Sequence, residues 1–574
     1  MRIKTTLSLV MLPLLVACSG TSSEPQVETS ASQTEALVSP EHTGDHGSDG
    51  DPSSAHDRDR DGQAFRHVLL ISIDGLHQVD LSSFIKGSPN SALAKLARRG
   101  VQYTKAYVNR LDGSATNPSD SFPGLLALTT GGSSPTHGGW YDVGYSRDLF
   151  PYSASAPCSG PPGAPAIYDE SIDVDNTFLW GSATDDTPTH QLTTARSRID
   201  VTKLPYAKSG SSCTPVYPHQ FIRTNTIFNV IKKAGLHTAW SDKHLSYELI
   251  SGPSGDGVDD YFAPDINSDP ANSLIPGATP GGSFTDATSE TEIYDDFKVQ
   301  AILNEVAGRW SDEGLPGAKD TAGRPGVPAV FGMNFQAVSV AEKSAKATGG
   351  YVDASGTPGS ELADALQHTD ASIAKMVDAL RARDLIDSTL IVVTAKHGQS
   401  PIDRSIVQKV DGDAVAALID GVAPVASHIE DDVGLYWLKS AATAPAAASV
   451  LLSPPAGGVN PFAGIVMTTS TESSFFTMFG DPTTDPHAPD VVVQPKHGVI
   501  YSLSKKKIAE HGGFADDDSH VGLLVSNPSF EASVVTAEVR TKQVAPTVVR
   551  ALGLDPEALD AVRIEHTRVL PDLF

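Results

Sequence analysis

Apolar residues recur along this chain in two distinct ways. At residues 67–73 ("HVLLISI"), 329–335 ("AVFGMNF"), 388–394 ("STLIVVT") and 520–526 ("HVGLLVS") they run almost without interruption. Such runs mark strands of a parallel sheet that is covered on both faces. Between them the spacing turns helical. Residues 91–108 ("SALAKLARRGVQYTKAYV") put Leu93, Leu96 and Val101 on one side, and "SFPGLLALTTGG" (121–132) opens with a turn and continues as a helix. Residues 224–244 read as helix, glycine stop and strand; 361–385 as a long amphipathic helix; 543–554 as a closing helix. Helices alternating with buried strands predict an α/β fold with a doubly wound, mostly parallel sheet.

Three stretches break this rhythm with Pro, Gly, Ser and Asp, at about 143–220, 252–290 and 405–505. They read as loop-rich cap insertions within one domain spanning 66–574. Polar residues gather just past the apolar runs: Asp74, Asp242 with His244, Gln336, Lys396 with His397, and Asp518 with His520. In an open α/β sheet, ligands bind in the crevice beyond the carboxyl ends of the strands. Each such residue alone is equally well a loop side chain; their convergence on one edge predicts a site. Lys243 beside Asp242 belongs to the same strand end, where helix capping accounts for Asp242 equally well.

The N-terminus has a basic start, an apolar run and small residues at its exit ("MRIKTTLSLVMLPLLVACSG"), too short to span a bilayer. Residues 1–18 are read as a secretory signal. The ending "LVAC" resembles a bacterial lipobox, which implies cleavage before Cys18, lipid on its sulfur and, with Ser19 next, the outer membrane facing the periplasm; a plain cleaved signal is the other reading. Residues 19–65 are acidic, Ser- and Gly-rich and almost without aromatics, a disordered tether by composition. Within it "DRDRDG" imitates the start of a calcium loop, but Val68 stands where the closing Glu belongs. In an oxidising compartment Cys158 and Cys213, the two remaining cysteines, are expected to form a disulfide. With 42 Lys and Arg against 69 Asp and Glu, a net charge of −27, nucleic acid is excluded as a partner.

The motifs "ISIDGL", "SFPGLLALTTGGSSPTHGGWYD", "KHGQ" and "EHGGF" occur in order, each near the end of an expected strand or at the start of a helix. Together they resemble the nucleotide pyrophosphatase/phosphodiesterase family of the alkaline phosphatase superfamily over most of 66–574. The resemblance implies an alkaline phosphatase-like fold and hydrolysis of phosphodiester or pyrophosphate bonds in a small-molecule phosphate ester. It also implies a pair of zinc ions, with Ser121 as nucleophile and Asp74, Ser121, His397 and His511 at the metals. Two metals can activate an attacking oxygen and neutralise a leaving one.

The chain departs from that pattern where it matters most. Lys396 stands where the family has a ligating Asp; Gln336, Ser339 and Lys343 stand near another Asp/His ligand pair; Asp142 replaces a phosphate-binding Asn. A protonated lysine has no lone pair for a metal, so Lys396 can replace a cation but not a ligand. This predicts one divalent ion, zinc, rather than two. His511, His520 or Asp142 would complete its coordination, Lys396 would serve catalysis, and Asp142, Asp242 and His244 would contact substrate. Asp142 could equally be the ion-pair partner of Lys396. Left open are a decayed site on a non-catalytic surface binding protein, hydrolysis of phosphomonoesters, phosphonates or sulfate esters, and the oligomeric state.

Overall fold

The computed structural model describes residues 65–179, 190–272, 280–315, 323–453, 464–471 and 473–574. The signal segment, Cys18, the "DRDRDG" stretch and all of the tether but Phe65 lie outside them; Phe65 is buried in the core rather than part of a tether. Eight strands form the main sheet: β1 His67–Ile73, β2 Gly100–Tyr103, β3 Ala239–Ser241, β4 Asp260–Phe262, β5 Val330–Phe335, β6 Thr389–Thr394, β7 Leu524–Ser526 and β8 Ser533–Val535. Their order is β8-β2-β7-β6-β1-β5-β3-β4. β1 pairs in parallel with both β5 and β6, and β5, β3 and β4 continue in parallel; β7 alone runs antiparallel to its neighbours. The α/β fold read from the sequence is the one observed.

The uninterrupted apolar runs are explained by what covers them. Along β1, Val68 and Leu70 enter one core, with α1 (Ser121–Thr130) and α5 (Val544–Ala551) packed on it. Leu69 and Ile71 enter the other, under α2 (Thr288–Val306), α3 (Ala337–Lys343) and α4 (Ser360–Ala382). With both faces covered, no polar alternation survives.

Three details differ from the sequence reading. The helix expected over 91–108 is confined to Ala92–Ala97, after which the chain turns into β2; Val101 and Tyr103 keep the apolar spacing because they are a strand's inner face. The stretch 252–290 contributes β4, a sheet-edge strand too short to show a period. Residues 405–505 build a second sheet of four antiparallel strands, in the order Val425–Glu430, Gly434–Leu438, Val491–Gln494, Ile465–Thr468. Helices Gly412–Asp420 and Ala444–Leu452 close a core of Val415, Ile419, Leu451 and Val493 against it. In the first insertion Cys158 and Cys213 form a disulfide, with Cα atoms 5.8 Å apart. Among the described residues no helix is long and apolar enough to cross a membrane.

Candidate active site

Four adjacent parallel strands, β6, β1, β5 and β3, end along one edge, and each carries polar side chains past its last residue. Lys396 and His397 follow β6, Asp74 follows β1, Gln336 follows β5, and Asp242, Lys243 and His244 follow β3. Ser121 is the first residue of α1, at the electropositive end of that helix. Asp120 caps it by accepting a hydrogen bond from the Phe122 backbone N–H at 3.1 Å. One turn on, a Cβ built on Gly124 would come 2.2 Å from the Lys396 carbonyl oxygen. The glycine is what lets α1 lie against the end of β6 and bring Ser121 to the edge.

Asp74 is completely buried and is the electrostatic centre of the site. Its Oδ2 accepts from Gln336 Nε2 at 2.7 Å and Asn334 Nδ2 at 3.1 Å, with Lys243 Nζ at 3.4 Å and Lys396 Nζ at 3.5 Å. Burial alone would raise its pKa, but Lys396, His397 and Lys243 hold the carboxyl well below the usual range. Lys396, also fully buried, has a second carboxylate, Asp242, at 3.7 Å and the Tyr247 ring centroid at 4.6 Å. Asp242 is fixed in turn by Trp240 Nε1, which donates at 2.9 Å. Lys396 therefore sits among two carboxylates and an aromatic face, which offset part of the cost of burying an ammonium.

Ser121 Oγ lies 3.2 Å from His397 Nε2 and 3.1 Å from Lys243 Nζ. His397 Nδ1 is 2.8 Å from the Gly398 carbonyl, which can only accept, so Nδ1 carries the ring hydrogen. Burial lowers the His397 pKa, with Lys243 adding to the effect against Asp74. Neutral and protonated on Nδ1, the imidazole turns a lone pair on Nε2 toward the serine hydroxyl. The His511 ring lies 3.9 Å from that of His397, and burial followed by His397 lowers its pKa well below normal.

These residues do not fit the implied metal pair. Zinc needs three or more protein donors with free lone pairs. Between Asp74 Oδ2 and Ser121 Oγ stands the Lys243 ammonium, and Lys396 occupies the position of the ligating Asp. Gln336 spends its amide on Asp74, which leaves His511 as the family-type donor at the second position. Among the described residues, the group close enough to share an ion is elsewhere: His77, Asp80 and Glu342, with donor atoms within 4.8 Å of one another. There the His77 pKa is raised well above normal, since Glu342 and Asp80 outweigh its burial. The imidazolium holds both carboxylates, at 2.9 and 3.3 Å.

The edge thus brings together Asp74, Ser121, Lys396, His397, His511, Asp242 and His244. His244 Nδ1 faces Asp265 Oδ2 at 3.2 Å. Asp242, expected to contact substrate, is fully buried and holds Trp240 and Lys396 instead. His520, expected as a metal ligand, is elsewhere: its Nε2 donates to the Thr104 carbonyl at 2.9 Å and its ring stacks on Tyr107 at 4.5 Å. The Asp run before it is structural, with the Asp518 backbone oxygen accepting from Gly398 N–H at 2.6 Å and Ser119 Oγ at 2.8 Å. Lys396 pairs with Asp74 and Asp242 rather than with Asp142, which leads into the strand Val143–Ser146. Lys243 and Tyr247 were not assigned roles by sequence reasoning; Lys243 follows Asp242 directly, the signal that could have found it.

A buried serine hydroxyl at a helix N-terminus, a neutral imidazole against it and fixed cations behind it are the groups that ester hydrolysis on an α/β scaffold can use. The family model for type I phosphodiesterase / nucleotide pyrophosphatase matches residues 68–513, and the chain belongs to that family. It is accordingly a hydrolase of phosphate ester bonds, of phosphodiesterase and pyrophosphatase type, in a family that is metal-dependent. Among solved structures it is similar to murine ectonucleotide pyrophosphatase / phosphodiesterase 5, at 12% identity and TM-score 0.49, covering 85% of this chain and 96% of that one. It is also similar to an inactive form of that enzyme in complex with AMP, at 12% identity and TM-score 0.48, covering 86% and 96%. No curated protein sequence matches.

Proposed function

We propose that the protein cleaves a phosphodiester or pyrophosphate bond in a small-molecule ester, with Ser121 as nucleophile and ammonium groups supplying charge that its relatives take from metal ions. The observation that carries this reading is Ser121 Oγ held between His397 Nε2 at 3.2 Å and Lys243 Nζ at 3.1 Å. Ser121 Oγ attacks phosphorus while its proton passes to His397 Nε2, and the bond from phosphorus to the leaving oxygen breaks. The leaving oxygen departs in line, on the face away from His397, and takes a proton from water. The hydroxide so formed attacks phosphorus from that face, the bond from phosphorus to Oγ breaks, and His397 returns its proton to Ser121 Oγ as the phosphate product leaves. Lys243 stabilises the developing oxyanion charge, as fixed donors in a dry site do. Lys396, fully buried, positions Asp74 and Asp242 instead of touching substrate. Turnover of bis(p-nitrophenyl) phosphate tests the reading: Ser121→Ala and His397→Gln each abolish it, whereas unchanged turnover in Ser121→Ala would remove the nucleophile. The disulfide supports a further proposal, that the chain is a secreted lipoprotein anchored through Cys18.

A further inference from the structure

Beside the serine opens a cavity of about 710 Å³ whose walls run from Lys243, Gln336 and His511, all at the site, out to the protein surface. Its composition is at odds with the rest of the molecule. The chain carries a net charge of −27, yet six lysines line this one space, Lys243, Lys343, Lys346, Lys505, Lys506 and Lys507, against two carboxylates, Asp286 and Glu361. Three of the lysines come from a single run, "SKKKIAE", on a segment far in sequence from the strand ends. Carboxylates hold several in place: Lys506 Nζ is 2.9 Å from Asp286, Lys346 3.1 Å from Glu361, and Lys343 and Lys507 are 3.2 and 2.7 Å from the buried Glu510. Hydroxyls of Thr285 and Ser504 add donors for oxyanions. The lining includes neither Phe, Tyr nor Trp, and its only aromatic rings are the imidazoles of His244 and His511, so a nucleobase would find little surface to stack on.

Resting on the reading of Ser121 as the reacting group, we infer that this cavity binds the remainder of the substrate, and that the remainder is a chain of further phosphate groups rather than a nucleoside. Lysines act as point charges for phosphate, whereas planar bidentate recognition of carboxylates falls to arginine, and the lining holds no arginine. Cations lying from Lys243 at the serine to Lys505 and Lys506 at the rim suit a ligand whose negative charge is repeated along its length. In an acidic protein they also draw such a ligand toward the serine.

The test is calorimetric titration of full-length Ser121→Ala protein, which does not consume the ligand, with inorganic tripolyphosphate. Binding is expected, weakening steeply as salt rises, and at least tenfold weaker in a Lys505→Gln/Lys506→Gln background. Lys86→Gln/Lys95→Gln, at two exposed lysines outside the cavity lining, serves as the charge-matched control and should bind as its parent does. Equal binding in the double variant, no binding at all, or equally tight binding of polygalacturonate, a polymer of carboxylates, would each overturn the inference. Turnover of bis(p-nitrophenyl) phosphate is measured separately on the unsubstituted serine protein. Tripolyphosphate binding without such turnover supports the cavity and faults the reaction; turnover without tripolyphosphate binding does the reverse.

Discussion

Lys243 Nζ stands 3.1 Å from Ser121 Oγ and 3.4 Å from Asp74 Oδ2, bridging the serine hydroxyl to the buried carboxylate that follows β1. The two partners reach it from different elements, the start of α1 and the end of β1. One side chain thus neutralises Asp74 and presents a cation at the reacting oxygen.

If that cation is used in the transition state, Lys243→Ala lowers kcat for bis(p-nitrophenyl) phosphate by roughly 10²- to 10³-fold. Lys243→Arg recovers part of the loss, since charge is kept but its position shifts. Steady-state kinetics on the three proteins checks this, and a Lys243→Ala kcat within twofold of the parent would remove Lys243 from the chemistry.

Gly124 supports the same geometry from behind. A methyl group there meets the Lys396 carbonyl at 2.2 Å, so Gly124→Ala must push α1 off the end of β6. We expect a destabilisation of about 1–3 kcal/mol together with a loss of turnover larger than the stability change explains. Denaturant melts paired with kinetics measure both.

Acid sensitivity follows from a histidine outside the chemistry. Burial pushes His137 down to about 3, from 6.5 when unfolded, with Arg223 and Lys542 adding to the effect. Below pH 6.5 the unfolded chain binds this proton and the folded one does not, so stability is fully present above 6.5 and drains away as pH falls toward 3. At about 1.4 kcal/mol per unit, the contribution lost between pH 6.5 and 4 is on the order of 3 kcal/mol. Urea midpoints at pH 7, 5 and 4 should fall less steeply for His137→Asn than for the parent.

The fold was legible because burial on both faces leaves uninterrupted apolar runs at β1, β5 and β6, and the strand-end rule then located the site. Asp74, Ser121 and His397 followed from the resemblance. What stayed hidden needed tertiary pairing. Nothing in the sequence around Asp242 says that its carboxylate turns inward to Trp240 and Lys396, nor that His520 stacks on Tyr107, far away along the chain. Lys243 is named only as a neighbour of Asp242, and the lysine run at 505–507 straddles the end of a stretch read as insertion. Strand β4, of three residues, is too short for any period to register.

Lys396→Asp puts a carboxylate in place of the buried ammonium and removes a cation from Asp74. Elemental analysis should find more bound zinc in this variant than in the parent, while Lys396→Met should lose stability by about 3–5 kcal/mol, because Asp74 and Asp242 are left buried without it. Equal zinc in parent and Lys396→Asp would contradict the idea that the ammonium displaces a metal.

The central claim is that this site runs on its own cations, and one measurement addresses it directly. The protein is dialysed against a strong chelator, its residual metal is quantified, and turnover of bis(p-nitrophenyl) phosphate is followed with Ser121→Ala as the zero. The account predicts that kcat survives at metal contents far below one ion per chain and does not rise on adding zinc. Activity that vanishes with the metal and returns in proportion to bound zinc would contradict it.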